Sequence, residues 1–166
     1  MINIIGDIPN KVTVAVSGGA DSMAVLSFLS AYRKRDVSVA YFNHGTDFGK
    51  DSEVFIRGFC STHELPLTVG MIGSTDRGVK STEEHWRDER AHFLEGIGET
   101  VVTGHNLDDV MEWWLFSSMH GQSKLIPYRR NNIIRPFLTT SKNELESWCE
   151  RHEVPYMSDP GNKNEK

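Results

Sequence analysis

Short apolar runs alternate with helical patterns along almost the whole chain. The apolar runs are rich in β-branched residues and predict buried strands at residues 12–16, 37–42, 67–72 and 100–103. Helical spacing and capping residues predict helices at residues 22–32, 51–63, 81–94, 107–119 and 140–152. Strands that alternate with helices of this length are typical of βαβ units. We therefore expect an α/β fold with a doubly wound, Rossmann-like parallel sheet.

The composition agrees with one globular domain. The chain has 166 residues, of which 38% are hydrophobic and 25% are charged, which excludes a collagen-like, coiled-coil or wholly disordered protein. We expect the domain to occupy residues 1–158 and a polar tail to occupy residues 159–166. Polar loops are predicted at residues 43–50 and 73–80, and an extended segment at residues 133–137.

The charge is acidic overall and unevenly distributed. The formal net charge is −5, so the chain as a whole is not a basic nucleic-acid-binding module. Residues 1–119 carry 10 Lys and Arg against 17 Asp and Glu, whereas residues 120–166 carry 8 against 6. Contacts with a polyanion are therefore expected in the C-terminal third. His120, Lys124, Arg129 and Arg130 form a basic group there that suits either RNA or solvent.

The two cysteines, Cys60 and Cys149, are 89 positions apart and belong to no C-x-x-C pair. This spacing does not support a zinc ribbon, a Cys-ligated iron–sulfur cluster or a disulfide framework, and it predicts two core thiols. The chain shows no signal-peptide pattern and no run of the ~20 apolar residues that a membrane-spanning helix needs. We expect a cytoplasmic location and no membrane partner.

A glycine loop, residues 17–22 with the sequence Ser-Gly-Gly-Ala-Asp-Ser, joins the first strand to the first helix. Glycines permit a tight turn, and the free N–H groups and dipole of a helix N-terminus attract phosphate. Asp21 beside a phosphate makes sense mainly with a divalent metal between them. The loop matches neither the Walker A pattern nor G-x-G-x-x-G. The alternative is an ordinary glycine turn with an Asp or Ser helix cap.

A second polar segment, Gly104 to Glu112, follows the fourth strand and opens the next helix. Asp109 and Glu112 are three residues apart and share a helix face. The segment by itself is also compatible with a helix cap and an acidic, solvated first turn. Its expected position on the same sheet edge as the glycine loop favours a shared site.

The glycine loop resembles the PP-loop of the N-type ATP pyrophosphatases, and the order of the other motifs resembles tRNA isoleucine lysidine synthetase. These motifs are Asn43-His44-Gly45, Arg87 and Arg90, the G-H-x-x-D-D-x-x-E string at residues 104–112, and Ile134-Arg135-Pro136-Phe137-Leu138. The likeness covers nearly the whole chain and corresponds to the family's N-terminal catalytic domain. The paired cysteines of the thiolating relatives have no counterpart here.

The resemblance implies a HUP-type fold and a ligase that uses ATP, Mg²⁺, lysine and tRNA. ATP would adenylate the C2 oxygen of a wobble cytidine, and lysine would displace AMP. The implied ATP-binding residues are Ser17, Gly18, Gly19, Ala20, Asp21, Ser22, His44 and His105, and the implied Mg²⁺ ligands are Asp21 and Asp109. The implied catalytic residues are Asp21, Arg87, Arg90, His105, Asp109 and Glu112, with Asp109 and Glu112 as candidates for the lysine ammonium.

The chain also departs from the family. Thr46-Asp47 stands where the family usually has Leu-Arg. The family continues into C-terminal domains that grip tRNA, so we expect weak tRNA binding from a chain of this length. Two alternatives remain: a PP-loop enzyme with another RNA or a small-molecule acceptor, and a nucleotide-binding module without turnover. Adjacent Trp113 and Trp114 predict either that both pack in the core or that one faces a partner, such as a second copy in a homodimer.

Overall fold

The computed structural model describes residues 1–31, 35–73 and 81–158. The predicted tail at residues 159–166, residues 74–80 of the predicted loop, and Tyr32 at the end of the first predicted helix lie outside the described residues. The strands are β1 (Lys11–Val16), β2 (Asp36–Asn43), β3 (Leu67–Met71), β4 (Val101–Thr103), β5 (Arg129–Arg130) and β6 (Ile133–Ile134). The helices are α1 (Ala20–Ala31), α2 (Asp47–Thr62), α3 (Thr82–Glu95), α4 (Leu107–Met119) and α5 (Lys142–Arg151).

The strands form one six-stranded sheet in the order β3-β2-β1-β4-β6-β5. Every neighbouring pair is parallel except β5 and β6, which are antiparallel at the edge. This confirms the predicted α/β class with a mostly parallel sheet. The chain proceeds outward from β1 in one direction and then returns to β4 on the other side. The switch between β1 and β4 opens a crevice at the carboxyl ends of these strands, where such sheets bind ligands.

Helices cover both faces of the sheet. On one face, α1, α2 and α5 contribute Leu26, Ile56 and Leu145 to the larger hydrophobic cluster, together with alternate residues of β1 and β2. On the other face, Phe93 and Leu94 of α3 pack in a smaller cluster with residues of four strands. Strands buried on both sides read as continuous apolar runs, which explains why β1 was recognisable from its sequence. Cys60 and Cys149 are buried and unpaired, as predicted.

The start of α2 corrects one prediction. The sequence pattern predicts a loop to residue 50, but α2 begins at Asp47. Thr46 is the N-cap and its hydroxyl accepts a hydrogen bond from the Gly49 N–H at 3.0 Å. Asp47 occupies the first turn, where the helix dipole stabilises a carboxylate. The Thr-Asp pair that departs from the family pattern therefore forms a helix start.

The short strand β5 was also missed by the sequence pattern, because two charged residues carry no strand periodicity. The extended segment predicted at residues 133–137 is a strand only at Ile133–Ile134. The other boundaries agree to within two residues, and α4 matches its predicted range. Neither Trp113 nor Trp114 of this helix is buried in the core, so the sequence-based alternative in which both pack inward is wrong. Within residues 1–31, 35–73 and 81–158, no helix combines the length and apolar character needed to cross a bilayer.

Candidate active site

The glycine loop, residues 17–22, is held in shape by its own serines. Gly18 has a φ of +89°, a left-handed conformation that favours glycine. The Ser22 hydroxyl donates to the Gly19 carbonyl at 3.0 Å and accepts from the Ser17 N–H at 3.1 Å. The loop therefore presents the N-terminus of α1 at the end of β1 as a preformed turn.

The loop between β4 and α4 lies directly against the glycine loop. A Cβ atom on Gly104 would lie 3.3 Å from both the N and Cα atoms of Ser22, so only glycine permits this approach without displacing backbone. The next residue, His105, pairs its Nδ1 with the Thr103 hydroxyl at 2.8 Å. Burial, aided by the positive charges of Arg135 and Arg90, lowers the pKa of His105 to about 4. His105 is therefore neutral at pH 7.

These two loops enclose a polar pocket of about 220 Å³, called here the carboxylate pocket. It is lined by Ala15, Ser17, Asp21, Ser22, Arg90, Thr103, Gly104, His105 and Asp109. Asp21 and Asp109 come from the first turns of two different helices, α1 and α4. The topology thus brings together two carboxylates that are 88 positions apart in the chain.

One oxygen of the Asp21 carboxylate, Oδ1, is buried and has no hydrogen-bond partner within the described residues. Burial raises the pKa of Asp21 to about 6; the charge of Lys142 opposes this rise and that of Asp109 adds to it. Burial also raises the pKa of Asp109, whose Oδ2 accepts the Asn106 N–H at 2.8 Å. Burial thus disfavours the charged form of both carboxylates, which a bound cation would stabilise.

The carboxylate pocket fits a hard divalent cation such as Mg²⁺. The Oδ1 of Asp21, which has no partner among the described residues, and the neighbouring Asp109 are oxygen donors that would suit such a cation. Within the described ranges, no cluster of three or more His, Cys, Asp and Glu side chains could hold a metal by itself. Mg²⁺ usually binds through one or two carboxylates and completes its shell with water and substrate phosphates. Two protein ligands therefore match a cation that arrives with a nucleotide.

A second pocket of about 410 Å³, the aromatic pocket, adjoins the first and shares Ser17 and Arg90 with it. Its walls are Val16, Ser17, Tyr41, Phe42, His44, Thr46, Phe48, Gly49, Ser52, Trp86 and Arg90. The His44 ring packs against Phe42 and Trp86, with centroid distances of 5.0 and 5.2 Å. The Nδ1 atom of His44 is buried without a partner among the described residues. Burial lowers the pKa of His44, so it offers a neutral ring nitrogen.

A third pocket of about 380 Å³, the terminal pocket, also borders the glycine loop. Its walls are Ser17, Gly19, Ala20, Asp21, Ser22, Phe48, Lys142, Glu146, Tyr156, Met157 and Ser158. The Met157 N–H donates to the Gly18 carbonyl at 2.8 Å and ties the C-terminal segment to the loop. Because Ser17 lines all three pockets, they form one cleft around the glycine loop.

The glycine-rich turn lies at the switch point of the parallel sheet, and its residues line three adjoining pockets. A sequence model of the PP-loop domain family matches residues 3–166. The chain belongs to the PP-loop family. This finding confirms the predicted family resemblance and the predicted fold.

Individual relatives of this PP-loop chain point in the same direction. The tRNA(Ile)-lysidine synthase of Staphylococcus aureus strain COL is 29% identical over 182 residues, which are 96% of this chain and 41% of the relative. The enzyme of the same name from Bdellovibrio bacteriovorus is 29% identical over 163 residues, which are 92% of this chain and 52% of the relative. The chain thus spans about two fifths to one half of these curated relatives.

The fold also matches solved structures. The U34-tRNA thiolase NcsA of Methanococcus maripaludis superposes with a TM-score of 0.73 at 19% identity, over 90% of this chain and 58% of the thiolase. At this identity the likeness shows the PP-loop fold alone.

The structure brings most of the predicted site residues of this PP-loop chain together, but not all of them. Residues 17–22, His44, Arg90, His105 and Asp109 lie in or beside the cleft. Arg87 and Glu112 are exposed and, among the described residues, are not part of the walls of the three pockets. Arg90 is partly buried one turn after Arg87 on α3.

Sequence reasoning missed several side chains of the cleft: Phe48, Trp86, Lys142, Glu146 and Tyr156. For Lys142, its position at the start of a predicted helix could have indicated a place in the site. It is the first residue of α5, where the helix dipole disfavours a cation, so its charge needs another explanation. The structure provides one, because Lys142 lies close enough to lower the pKa values of both Asp21 and Asp109.

Proposed function

We propose that the chain is the catalytic domain of an ATP-dependent ligase that modifies tRNA. It would adenylate the C2 oxygen of the wobble cytidine of an isoleucine tRNA and replace that oxygen with lysine. The similarity to two enzymes named tRNA(Ile)-lysidine synthase over more than 90% of this chain supports this substrate and product. Membership in the PP-loop family supports the ATP-dependent chemistry of this proposal.

One observation carries the proposal most directly: the Oδ1 atom of Asp21 is buried beside a helix N-terminus and has no partner in the part of the chain that the structure describes. A carboxylate next to an anion-binding turn is unfavourable unless a cation lies between the carboxylate and the anion. A nucleotide phosphate with its divalent cation satisfies both groups at once. An ordinary helix cap would instead use the carboxylate to accept backbone N–H groups.

Different parts of the cleft suit the base, the phosphates and the cation of Mg²⁺·ATP. The aromatic pocket offers flat walls from Phe42 and Trp86, which suit a purine base, and the Nδ1 of His44, which no described residue pairs with, could bond to it. The glycine loop would hold the phosphates through the N-terminus of α1. Asp21 and Asp109 would hold Mg²⁺, which neutralises phosphate charge when bound.

The remaining residues would act on the acceptor and on the leaving groups. In the first step, the cytidine C2 oxygen attacks the α-phosphorus of ATP and pyrophosphate leaves. Arg90 and neutral His105 line the carboxylate pocket and would stabilise the developing negative charge. In the second step, the lysine ε-amine attacks C2, the C2–O bond breaks, and AMP and a proton leave.

The exposed residues would contact the acceptor side of the substrate. Glu112 lies one turn after Asp109 on α4, so this pair would attract the lysine ammonium group from the mouth of the site. Arg87 lies one turn before Arg90 on α3 and would contact the target nucleotide. The basic group at His120, Lys124, Arg129 and Arg130 is exposed and would contribute to tRNA binding.

Nucleotide analysis with α-labelled ATP and Mg²⁺ tests the proposal. The purified chain is incubated with bulk tRNA and lysine, together and separately. We expect AMP and pyrophosphate only when both tRNA and lysine are present, and a tRNA product whose mass has increased by one condensed lysine.

The other outcomes separate the alternatives. AMP formation with tRNA but without dependence on lysine would retain RNA adenylation and refute lysine as the nucleophile. No AMP in any mixture, in spite of Mg²⁺·ATP binding in a thermal melt, would refute this tRNA ligase activity for the chain.

A further inference from the structure

A buried threonine ends strand β4. Thr103 is 2% exposed, and its register partner on β1 is Ala15. Side chains two positions apart share a face of a strand, so Thr103 lies on the same face as Val101, which packs in the smaller hydrophobic cluster. A valine has nearly the same shape as a threonine, whereas a buried hydroxyl is unfavourable unless it is hydrogen-bonded. The hydroxyl of Thr103 therefore needs a partner.

That partner is the imidazole ring of His105. The Oγ1 atom of Thr103 lies 2.8 Å from Nδ1 of His105, and neither atom has another hydrogen-bond partner within the described residues. A hydroxyl carries one proton, and a neutral imidazole carries one ring N–H proton. If Nδ1 donated this ring proton to Thr103, the hydroxyl proton would have no acceptor among those residues. The hydroxyl therefore donates to Nδ1.

A hydrogen bond in this direction determines the tautomer of His105. Because the ring is neutral at pH 7 and Nδ1 accepts, the ring proton lies on Nε2. His105 lines the carboxylate pocket, and its Nε2 has no partner in the part of the chain that the structure describes. The Nε2–H group is therefore a donor that is available to a ligand in this pocket.

The tautomer decides what His105 can do in the pocket. An Nε2–H group attracts the oxygen atoms of a phosphate, whereas the lone pair that the other tautomer has on Nε2 would repel them. Arg90 lines the same pocket and adds a positive charge. Gly104, which lies between Thr103 and His105 in the chain, packs against the backbone of Ser22. The loop that carries His105 is thus held beside the glycine loop, where phosphates are expected.

We propose that Thr103 is a positioning residue, whose hydroxyl donates to Nδ1 of His105 and keeps the ring proton on Nε2 as a donor to a phosphate oxygen in the carboxylate pocket. His105 then acts as a hydrogen-bond donor and not as a general base. The identity of this phosphate as part of ATP rests on the proposed function. The tautomer of the ligand-free protein depends on the fold alone.

Nitrogen-15 NMR of the histidine rings tests the tautomer directly. At neutral pH we expect a protonated Nε2 and an unprotonated Nδ1 for His105, whose signals are identified by their loss in His105→Gln. Addition of Mg²⁺·ATP should shift the Nε2–H resonance of the wild type. Thr103→Val keeps the β-branched shape and replaces the hydroxyl with a methyl group, so both tautomers of His105 should be populated in this variant.

Turnover in the AMP assay tests the consequence for the reaction. Thr103→Val should lower kcat about 10-fold, which is less than the roughly 10²–10³-fold cost of losing a whole oxyanion donor, because His105 is still present. Thr103→Ser keeps the hydroxyl and should stay within about threefold of the wild type. Thr13→Val is the matched control, because Thr13 is a 3% exposed residue of β1 whose hydroxyl pairs with that of Ser38 at 2.8 Å. This control should leave kcat unchanged.

Each other result overturns the proposal. A ring proton on Nδ1 of His105 in the wild type, or an unchanged tautomer in Thr103→Val, refutes the role of the hydroxyl. A Thr103→Ser variant as slow as Thr103→Val, or a Thr13→Val variant that loses as much turnover, makes the effect one of packing. If no mixture with tRNA yields AMP, the proposed function fails by itself. An Nε2–H resonance that does not move with Mg²⁺·ATP then refutes the donor role of His105.

Discussion

Two strand-to-helix junctions flank the crevice, and they use the same residue type in different ways. At the β1–α1 junction, Asp21 has a buried oxygen without a partner among the described residues. At the β4–α4 junction, Asp109 accepts the Asn106 N–H, and Asp108 accepts the Lys142 N–H at 2.7 Å and so caps α5. An acidic residue in the first turn of a helix is therefore ambiguous by itself. What its oxygens contact distinguishes a cap from a candidate ligand site.

The carboxylates at the two junctions also differ in their effect on the stability of the fold. A capping carboxylate stabilises the fold that contains it, whereas a buried carboxylate without a partner costs stability until a ligand arrives. Asp21 and Asp108 are thus expected to respond to substitution with opposite signs. Asp109 combines both roles and is expected to lie between them.

The largest effect is expected on turnover. Asp21→Asn should lower AMP formation at least 100-fold, because an amide removes one full charge from the proposed Mg²⁺ site, and metal charge stabilisation is worth several kcal/mol. The same variant should lose the rise in melting temperature that Mg²⁺·ATP causes. Asp109→Asn should lose a similar amount of turnover and remain folded. Normal turnover in Asp21→Asn would refute the metal assignment.

The next largest effect is on the stability of the ligand-free protein, which Asp21→Asn should increase although it lowers turnover. Burial raises the pKa of Asp21 from 3.8 to about 6 in the folded state, so the folded state binds this proton more tightly than the unfolded state. The Asp21 carboxylate therefore lowers stability progressively as pH rises from about 4 to 6, and by its full amount above pH 6. Asp21→Asn removes this cost and should raise the free energy of unfolding by about 1–2 kcal/mol at pH 7.5.

Denaturant unfolding of the ligand-free protein at pH 7.5 and pH 4 measures this effect. The advantage of Asp21→Asn over the wild type should shrink towards zero at pH 4, where the wild-type carboxyl is protonated in the folded state. A variant that is less stable than the wild type at pH 7.5 would make Asp21 a structural residue and remove the contrast between the junctions.

The smallest effect belongs to the capping carboxylate. Asp108→Ala should lower the free energy of unfolding by about 1 kcal/mol, the usual cost of losing a helix cap, because the Lys142 N–H loses its acceptor. Turnover should stay within about twofold of the wild type, measured with the same AMP assay. A 100-fold loss of turnover in Asp108→Ala would place Asp108 in the site and make the two junctions alike.

Local patterns predicted much of the fold because their causes are local. The bounds of α4 were predictable from its apolar content and its N-terminal Asn106, which forms a capping box with Asp109. Ser81 and Glu84 have the spacing of a capping box in the sequence, and in the fold the Ser81 hydroxyl accepts the Glu84 N–H at 3.2 Å at the start of α3. The start of α2 was missed because Thr46 and Asp47 suit a loop as well as a helix start.

The cleft could be predicted only in part. The glycine loop and the Asp109 segment each follow a strand, so their meeting at one sheet edge followed from the topology of βαβ units. Trp86 and Lys142 enter the cleft from α3 and α5, far along the chain from the glycine loop. Their positions depend on how those helices pack, and no short-range pattern encodes that.

The sequence by itself determined the alternation of strands and helices, the glycine turn after β1 and the family of the domain, because each depends on neighbouring residues and their order. Only the tertiary structure decided which carboxylates are satisfied and which apolar side chains are covered. Asp21, Asp108 and Asp109 look alike in the chain, and their hydrogen-bond partners separate them. The apolar side chains of Met111 and Leu115 on α4 resemble those of any core-facing helix, and only the packing of the sheet leaves them exposed. The burial of a side chain and the pairing of its polar atoms depend on distant segments of the chain. Both are therefore determined only once the chain has folded.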